Sequence, residues 1–289
     1  MVQGTHYPIV IPTRPGHQNP QTSEVQRPHR WPEIYAGPWI VTGNVAKLKV
    51  LHEIHRLISS GSEPCILDVG CVGPKPLEFW EPVLCNRAFR FDLTAMDTWG
   101  IDKARELAEQ RGWMDRVILR EGSGYNLEDM FPPRVFDLVI ATQVLEHVAR
   151  LSTFMRQIAA VLKYGGEAFF TADSAHWRPR FDPSYPVRLM KNLVKKGLSS
   201  FGNEKHYDLP WFDHEVIGEC ERAGLKVIEC RYYNLAPLKF LHNHLIPRAR
   251  RNEFMRLWFE LEELVNEEQA VREKAKLLFM GFYLHVRKV

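Results

Sequence analysis

An open, doubly wound α/β sheet is the fold this sequence predicts, and three observations predict it. From Cys65 onward, short apolar runs alternate with amphipathic helical stretches. The runs are apolar on both faces, which suits parallel strands covered by helices on each side. Glycines close the helical stretches, at Gly61, Gly112, Gly165-Gly166 and Gly224, as residues able to end a helix in left-handed backbone do.

Residues 1–45 are rich in Pro, Gly, His, Gln and Thr, with aromatics at Trp31, Tyr35 and Trp39. They read as an irregular arm draped over a core. Regular structure begins near Asn44, where Val45, Leu48, Leu51, Ile54 and Leu57 recur at helical spacing. A first strand runs from Cys65 to Val69 and ends in Gly70, and a second from Phe91 to Met96 ends at Asp97. Ile101 to Arg111 is a helix closed by Gly112. Val117 to Leu119 is a third strand and Phe136 to Ala141 a fourth. Leu151 to Leu162 is a strongly amphipathic helix capped by Gly165-Gly166, and Ala168 to Thr171 is a fifth strand.

After Ala172 the rhythm breaks, with prolines at positions 179, 183, 186 and 210. Phe212 to Ala223 reads as a helix with Asp213 as N-cap and Gly224 as stop. Val227-Ile228 is a sixth strand. A long charged helix over roughly 252–278 precedes a final strand from Phe282 to Val286. The chain thus divides into an arm, 1–45, and one α/β domain over 46–289 with insertions at 173–210 and 232–278.

The 289 residues carry a formal charge of +3, with 45% hydrophobic and 25% charged. Such values exclude collagen-like, disulfide-scaffold and wholly disordered chains. So small a net charge also argues against a nucleic-acid coat, and no DNA partner is expected. The cysteines, Cys65, Cys71, Cys85, Cys220 and Cys230, are odd in number and form no CxxC pattern. Buried reduced thiols and a cytoplasmic setting are therefore expected. The proline-rich N-terminus lacks the apolar core of a signal peptide, and no stretch nears the roughly 18 apolar residues that span a membrane.

In an open α/β sheet, ligands bind beyond the carboxyl ends of the strands. The first strand is followed there by Gly70-Cys71-Val72-Gly73-Pro74, whose glycines let a ligand approach the backbone. The second ends at Asp97, a carboxylate placed to accept hydrogen bonds from two ribose hydroxyls. A glycine loop followed by an acid at the next strand end is the logic of nucleoside recognition.

Taken together, ILDVGC, TAMD, FDLVIATQVLEHV and LKYGGEAFFT resemble the class I S-adenosylmethionine-dependent methyltransferases of the small-molecule, type 11-like kind. The resemblance covers roughly 45–175 and resumes in WFDHEVIGECERAGLKVIE and the terminal strand. It implies a Rossmann-like, seven-stranded mixed sheet, with residues 279–287 antiparallel beside the fifth strand, and S-adenosyl-L-methionine as cofactor. Asp68, Val69, Gly70 and Gly73 would meet its methionine part and Asp97 its ribose. Thr98 and Trp99 would lie beside the adenine, which Gly122, Ser123 and Gly124 would also contact. Gln143 would line the cofactor near its sulfonium. Val72 and Pro74 depart from the family's glycine-rich loop, and Pro74 removes an amide donor and fixes φ. Ser123 stands where an Asp commonly meets the adenine amine, and Tyr164 where a proline is frequent.

Methyl transfer is an in-line displacement, for which a protein mainly supplies alignment. A hydroxyl nucleophile also needs its proton removed, usually by His or a carboxylate. His147, in the Glu146-His147 pair after the fourth strand, is the leading base candidate, with a structural His at a helix start as the alternative. His176, just after the fifth strand, is the second, against a solvent-facing loop His. His206-Tyr207-Asp208 and Trp211 lie where this family commonly builds its acceptor pocket, and packing would explain them equally. Some relatives hold a divalent metal through Glu-x-x-Glu-His. Gln143 occupies the first position here, so no metal is expected, and His242-Asn243-His244 lacks adjacent strong ligands.

Between Arg178 and Lys205, basic residues outnumber acids and interleave with apolar ones around Arg188 to Lys196, and Arg248, Arg250, Arg251 and Arg256 form a second cluster. Solvated or acid-paired faces would explain both. An anionic substrate, a membrane surface carrying a lipid-linked sugar, or RNA phosphate are the functional readings. Aromatics do not alternate with these residues as stacking platforms would. A small-molecule or glycan-like acceptor methylated on oxygen is therefore expected. An RNA or protein methyltransferase, and a non-catalytic partner of the same fold, are the alternatives. Phe254, Leu257, Trp258, Leu261, Leu264 and Val265 form an apolar stripe, for core packing over the sheet edge or, alternatively, a homodimer contact or substrate lid.

Overall fold

The computed structural model describes residues 63–70, 79–85, 92–97, 100–177 and 210–289, together with Val50, Ile54, Arg56, Leu57, Leu77, Met190 and Val194. The described part of the arm–helix region, Val50, Ile54, Arg56 and Leu57, is helical. Seven strands form one sheet: β1 (Cys65–Val69), β2 (Asp92–Asp97), β3 (Val117–Glu121), β4 (Phe136–Ala141), β5 (Leu162–Asp173), β6 (Leu225–Leu235) and β7 (Phe279–Lys288). Their order is β3-β2-β1-β4-β5-β7-β6. The first five are mutually parallel where they pair, and β7 runs antiparallel to β5 and to β6. This is the mixed, Rossmann-like sheet the sequence predicts, with its last strand antiparallel beside the fifth.

Helices cover both faces: α1 (Glu81–Leu84), α2 (Ile101–Arg111), α3 (Leu127–Met130), α4 (Leu151–Val161) and α5 (Asp213–Arg222). Because side chains alternate across a strand, β1 supplies both cores. Ile66 packs in the layer of Trp80, Leu93 and Ala104, whereas Leu67 and Val69 pack in the layer of Phe154, Met155 and Ile158. α4 supplies that second layer from one apolar stripe, Leu151, Phe154, Met155 and Ile158. The chain leaves β1 toward β2 and β3 on one side and returns through β4 on the other. The strand order therefore reverses between β1 and β4, whose carboxyl ends are where ligands of such sheets bind.

Several local expectations need correction. α4 stops at Val161 and β5 begins at once, so Gly165-Gly166 is not a helix cap. The pairing jumps instead from Phe136–Leu162 to Leu138–Glu167, and the two glycines lie inside that bulge. Gly165 takes φ +75, and a Cβ on Gly166 would come 2.8 Å from the Lys163 carbonyl oxygen. Asp213 is the first residue of α5, not its cap: Phe212 precedes the helix, and its N–H donates to Glu215 Oε2 at 3.1 Å. Cys85 is exposed, unlike the buried Cys220, whose thiol burial pushes up to about 12.

β6 and β7 are far longer than their apolar centres suggested. The excursion between them holds α6 (Ala236–Phe240), α7 (Arg251–Glu267) and α8 (Gln269–Ala275). The long charged helix breaks at Glu268, whose backbone is extended (φ −99, ψ 114). β6 is an edge strand, and α7 covers it. Asn266 Oδ1 accepts the Tyr232 N–H at 2.8 Å, Asn266 Nδ2 donates to the Tyr232 carbonyl at 2.8 Å, and Glu262 Oε1 accepts the Leu235 N–H at 2.6 Å. At the opposite end of the sheet, buried Glu167 on β5 accepts from Arg287 Nη2 at 2.6 Å and meets His285 Nε2 at 3.1 Å, both on β7. Among the described residues, no helix is long and apolar enough to cross a membrane.

Candidate active site

Two backbone hydrogen bonds align three strand ends. The Gly70 N–H donates to the Met96 carbonyl and the Gly122 N–H to the Asp97 carbonyl, each at 2.8 Å. The loops after β1, β2 and β3 thus begin side by side at the carboxyl edge of the sheet. Gly70 has φ +88, and a Cβ there would sit 2.3 Å from Val144 Cγ2, so bare backbone is required where the β1 and β4 loops meet. The Asp97 side chain is buried at the end of β2. An ionised carboxylate can only accept hydrogen bonds, through two oxygens, and so suits a vicinal diol.

The other predicted cofactor residues separate by environment. Buried Asp68 accepts Trp80 Nε1–H at 2.7 Å, which braces the segment after β1 against the helical layer. Val69 is core, so only its backbone is available to a ligand. Gly122 and Gly124 are partly exposed, and a Cβ on either would press at 2.4 Å on Met130 or Phe154. Ser123 Oγ accepts the Tyr125 N–H at 3.3 Å. Gln143 is exposed, holds φ +57, and donates its N–H to Thr171 Oγ1 on β5 at 2.7 Å. A non-glycine residue in left-handed backbone is uncommon and often marks a functional turn. Gly73, Thr98, Trp99 and the His206-Tyr207-Asp208 group lie outside the described residues, as does most of the basic stretch 178–205. Buried Asp97, the bare backbone of Gly70 and the left-handed turn at Gln143 fit a nucleoside-bearing cofactor.

The two base candidates part company here. His147 ends a 3₁₀ turn, Leu145–His147, with an exposed ring beside buried Glu146. His176 instead faces a carboxylate: its Nε2 lies 2.7 Å from Asp213 Oδ1, and each side chain is 11% exposed. A short parallel ladder brings them together, since the Ala175 N–H donates to the Trp211 carbonyl at 2.8 Å and the Trp211 N–H to the Asp173 carbonyl at 2.9 Å. Trp211 Nε1–H also donates to the Leu145 carbonyl at 2.7 Å, which ties this cluster to the turn after β4.

Asp213 is saturated with donors. Its Oδ2 accepts the Tyr232 hydroxyl, and its Oδ1 also accepts the His214 N–H at 2.8 Å. Burial pushes its carboxyl up, but the hydrogen bonds from Tyr232, His176 and the His214 N–H outweigh that and hold it at about 2. Burial and the bond to Asp213 push the Tyr232 hydroxyl far up. His176, Asp213 and His214 are the one group of three among the described residues whose ligand atoms all lie within 4.8 Å. With both Asp213 oxygens already engaged and the His214 side chain 73% exposed, the arrangement is hydrogen-bonded in itself. Asp213 and Tyr232 escaped sequence reasoning. The signals were an acid directly after Trp211-Phe212 and a tyrosine in the buried part of a strand.

A family model of the methyltransferase domain matches residues 45–230. In sequence the chain is similar to ubiquinone biosynthesis O-methyltransferases. It is 24% identical over 178 residues to that of Coxiella burnetii, covering 60% of this chain and 68% of that protein. It is 25% identical over 197 residues to that of Neisseria meningitidis, covering 64% and 76%. In fold it is similar to a putative sarcosine dimethylglycine methyltransferase from Galdieria sulphuraria (TM-score 0.51, 14% identity, 88% of this chain and 95% of that one). A geranyl diphosphate C-methyltransferase from Streptomyces coelicolor is alike at TM-score 0.51 and 12% identity, covering 84% and 80%. With that family model spanning well over half of its length, on a sheet of the order described above, the chain belongs to the methyltransferase domain family and is an S-adenosylmethionine-dependent enzyme of the class I fold.

Proposed function

We propose that this enzyme methylates a hydroxyl oxygen of a small-molecule acceptor and that His176 is the base that takes the hydroxyl proton. One observation carries the reading: a largely buried imidazole is paired at 2.7 Å with an equally buried carboxylate, just beyond the carboxyl end of β5. A neutral hydroxyl needs such a base at the moment of transfer. The printed names of the two sequence relatives support oxygen as the acceptor atom.

S-adenosylmethionine, when bound, supplies an electrophilic methyl group on a sulfonium. The chain's own residues bind and orient. Asp97 accepts hydrogen bonds from the ribose hydroxyls. Gly70, Val69, Asp68 and Gly73 are assigned to the methionine end, and Gly122, Ser123, Gly124, Thr98 and Trp99 to the adenine. Gln143, held by Thr171, lines the methyl-bearing end. His147 stands at the same sheet edge and becomes the base only if His176 proves dispensable.

The arm 1–45 and the insertions belong to the acceptor side. Exposed Arg248 suits an acceptor with an anionic, sugar-bearing or membrane-surface part, whereas Arg250 is paired with Glu253 at 2.7 Å. Leu257, Leu261 and Leu264, exposed along α7, suit a homodimer contact, and the unpaired cysteine pattern suits the cytoplasm. Transfer of labelled methyl into a panel of phenols and hydroxylated small molecules tests the reading. Wild type should label a hydroxyl acceptor, and His176→Gln should reduce the rate by about 10²–10⁴-fold, the range a general base contributes. Undiminished labelling by His176→Gln would remove His176 from the reaction.

A further inference from the structure

Resting on the assignment of His176 as base, we infer that Asp213 is its positioning residue, that Tyr232 and Asn266 hold Asp213 in place, and that His176 Nδ1 is the nitrogen left to the acceptor. A neutral imidazole has one donor and one acceptor nitrogen, and an ionised carboxylate can only accept. Nε2 faces Asp213 Oδ1 at 2.7 Å, so Nε2 carries the proton and Nδ1 carries the lone pair. Among the described residues, His176 Nδ1 makes no hydrogen bond. The Phe212 and Tyr232 rings stand steeply to the imidazole, at 72° and 74° and centroid distances of 5.0 and 6.4 Å, which limits its rotation.

The support runs outward from there. Asp213 Oδ2 is occupied by the Tyr232 hydroxyl, so the carboxylate cannot turn without losing a buried bond. Tyr232 in turn is fixed by its backbone, because Asn266 on α7 bonds both its N–H and its carbonyl at 2.8 Å. The helix between β6 and β7 therefore reaches the base through three residues, Asn266, Tyr232 and Asp213. Among the described residues, the other titratable or charged groups facing this cluster are His214 on α5, Cys230 on β6, and Glu273 and Lys276 before β7.

The proton step balances. The hydroxyl proton passes to Nδ1, the oxygen electron pair forms the bond to the methyl carbon, and the carbon–sulfur pair stays on sulfur. The imidazolium so formed has its charge beside the Asp213 carboxylate until water removes the proton.

Nitrogen-15 spectra of the histidine-labelled full chain test the inference without any acceptor. His176→Gln identifies the resonances, and S-adenosylhomocysteine affinity within twofold of wild type certifies the fold of each variant. In wild type the unprotonated resonance of neutral His176 should belong to Nδ1. In Asp213→Ala the acceptor of the Nε2 proton is gone, and both neutral forms should appear. Tyr232→Phe should also leave a mixture of the two forms. A wild-type proton on Nδ1, or an unchanged tautomer in both Asp213→Ala and Tyr232→Phe, would overturn the inference. Should Asp213→Ala not fold, wild type and Tyr232→Phe still decide it. A correct tautomer with fully active His176→Gln would instead sink the base assignment alone.

Discussion

Asn266 and Tyr232 are joined edge to helix: one carboxamide accepts the backbone N–H and donates to the backbone carbonyl of the same tyrosine, both at 2.8 Å. The side chain stands in for a neighbouring strand that β6, at the sheet edge, does not have. Both Asn266 and Tyr232 are buried, so water cannot replace these bonds. Asn266→Ala should therefore destabilise the fold by about 1–3 kcal/mol, measured by urea unfolding. A loss below a few tenths would mean that α7 merely lies over β6.

Acid should weaken this protein through identifiable carboxylates. Burial raises Glu167, but hydrogen bonds from His285 and Arg287 and the charges of His285 and Arg56 bring it down to about 2. A carboxyl depressed in the folded state contributes stability above its ordinary value, and that contribution is lost as pH falls through the folded value. Stability should thus decline from about pH 4.5 toward pH 2. Glu167→Gln should be less stable at neutral pH and show a shallower acid decline. Parallel curves for the two proteins would remove Glu167 from the acid response.

A third expectation concerns Gly281 on β7. A Cβ there would meet the buried Tyr233 ring at 2.5 Å and its hydroxyl oxygen at 2.8 Å. Tyr233 has little room to yield, being 4% exposed. Gly281→Ala should cost about 1–3 kcal/mol through overpacking, read as a lowered melting temperature. An unchanged melting temperature would show that Tyr233 can shift freely.

Much of the cofactor half was legible because β1 and β4 are continuous apolar runs whose ends are marked by composition. Val69, Asp97 and Ala141 close their strands where the pattern stops. Legibility failed where a tertiary partner overrode a local rule. Asp213 obeys the preference of acids for helix starts, yet its carboxylate turns to His176 and Tyr232. β6 outruns its two clearest apolar residues because its Tyr232–Leu235 end is bonded by α7, whose partner atoms lie 27 and 34 residues away. Glu268 breaks the long helix with neither Gly nor Pro to announce it. The pairing of His176 with Asp213 depends on a bridge between Ser174 and Trp211, which no spacing reveals.

The central claim is that this sheet edge holds S-adenosylmethionine with Asp97 on its ribose. Calorimetric titration of the cofactor and of S-adenosylhomocysteine into wild type and Asp97→Ala tests it most directly. Wild type should bind one cofactor per chain. Asp97→Ala should lose about 1.5–3 kcal/mol, since hydrogen bonds to a charged group are broken, which is roughly a 10- to 150-fold weaker affinity. No binding by wild type, or equal affinity in the two proteins, would contradict it.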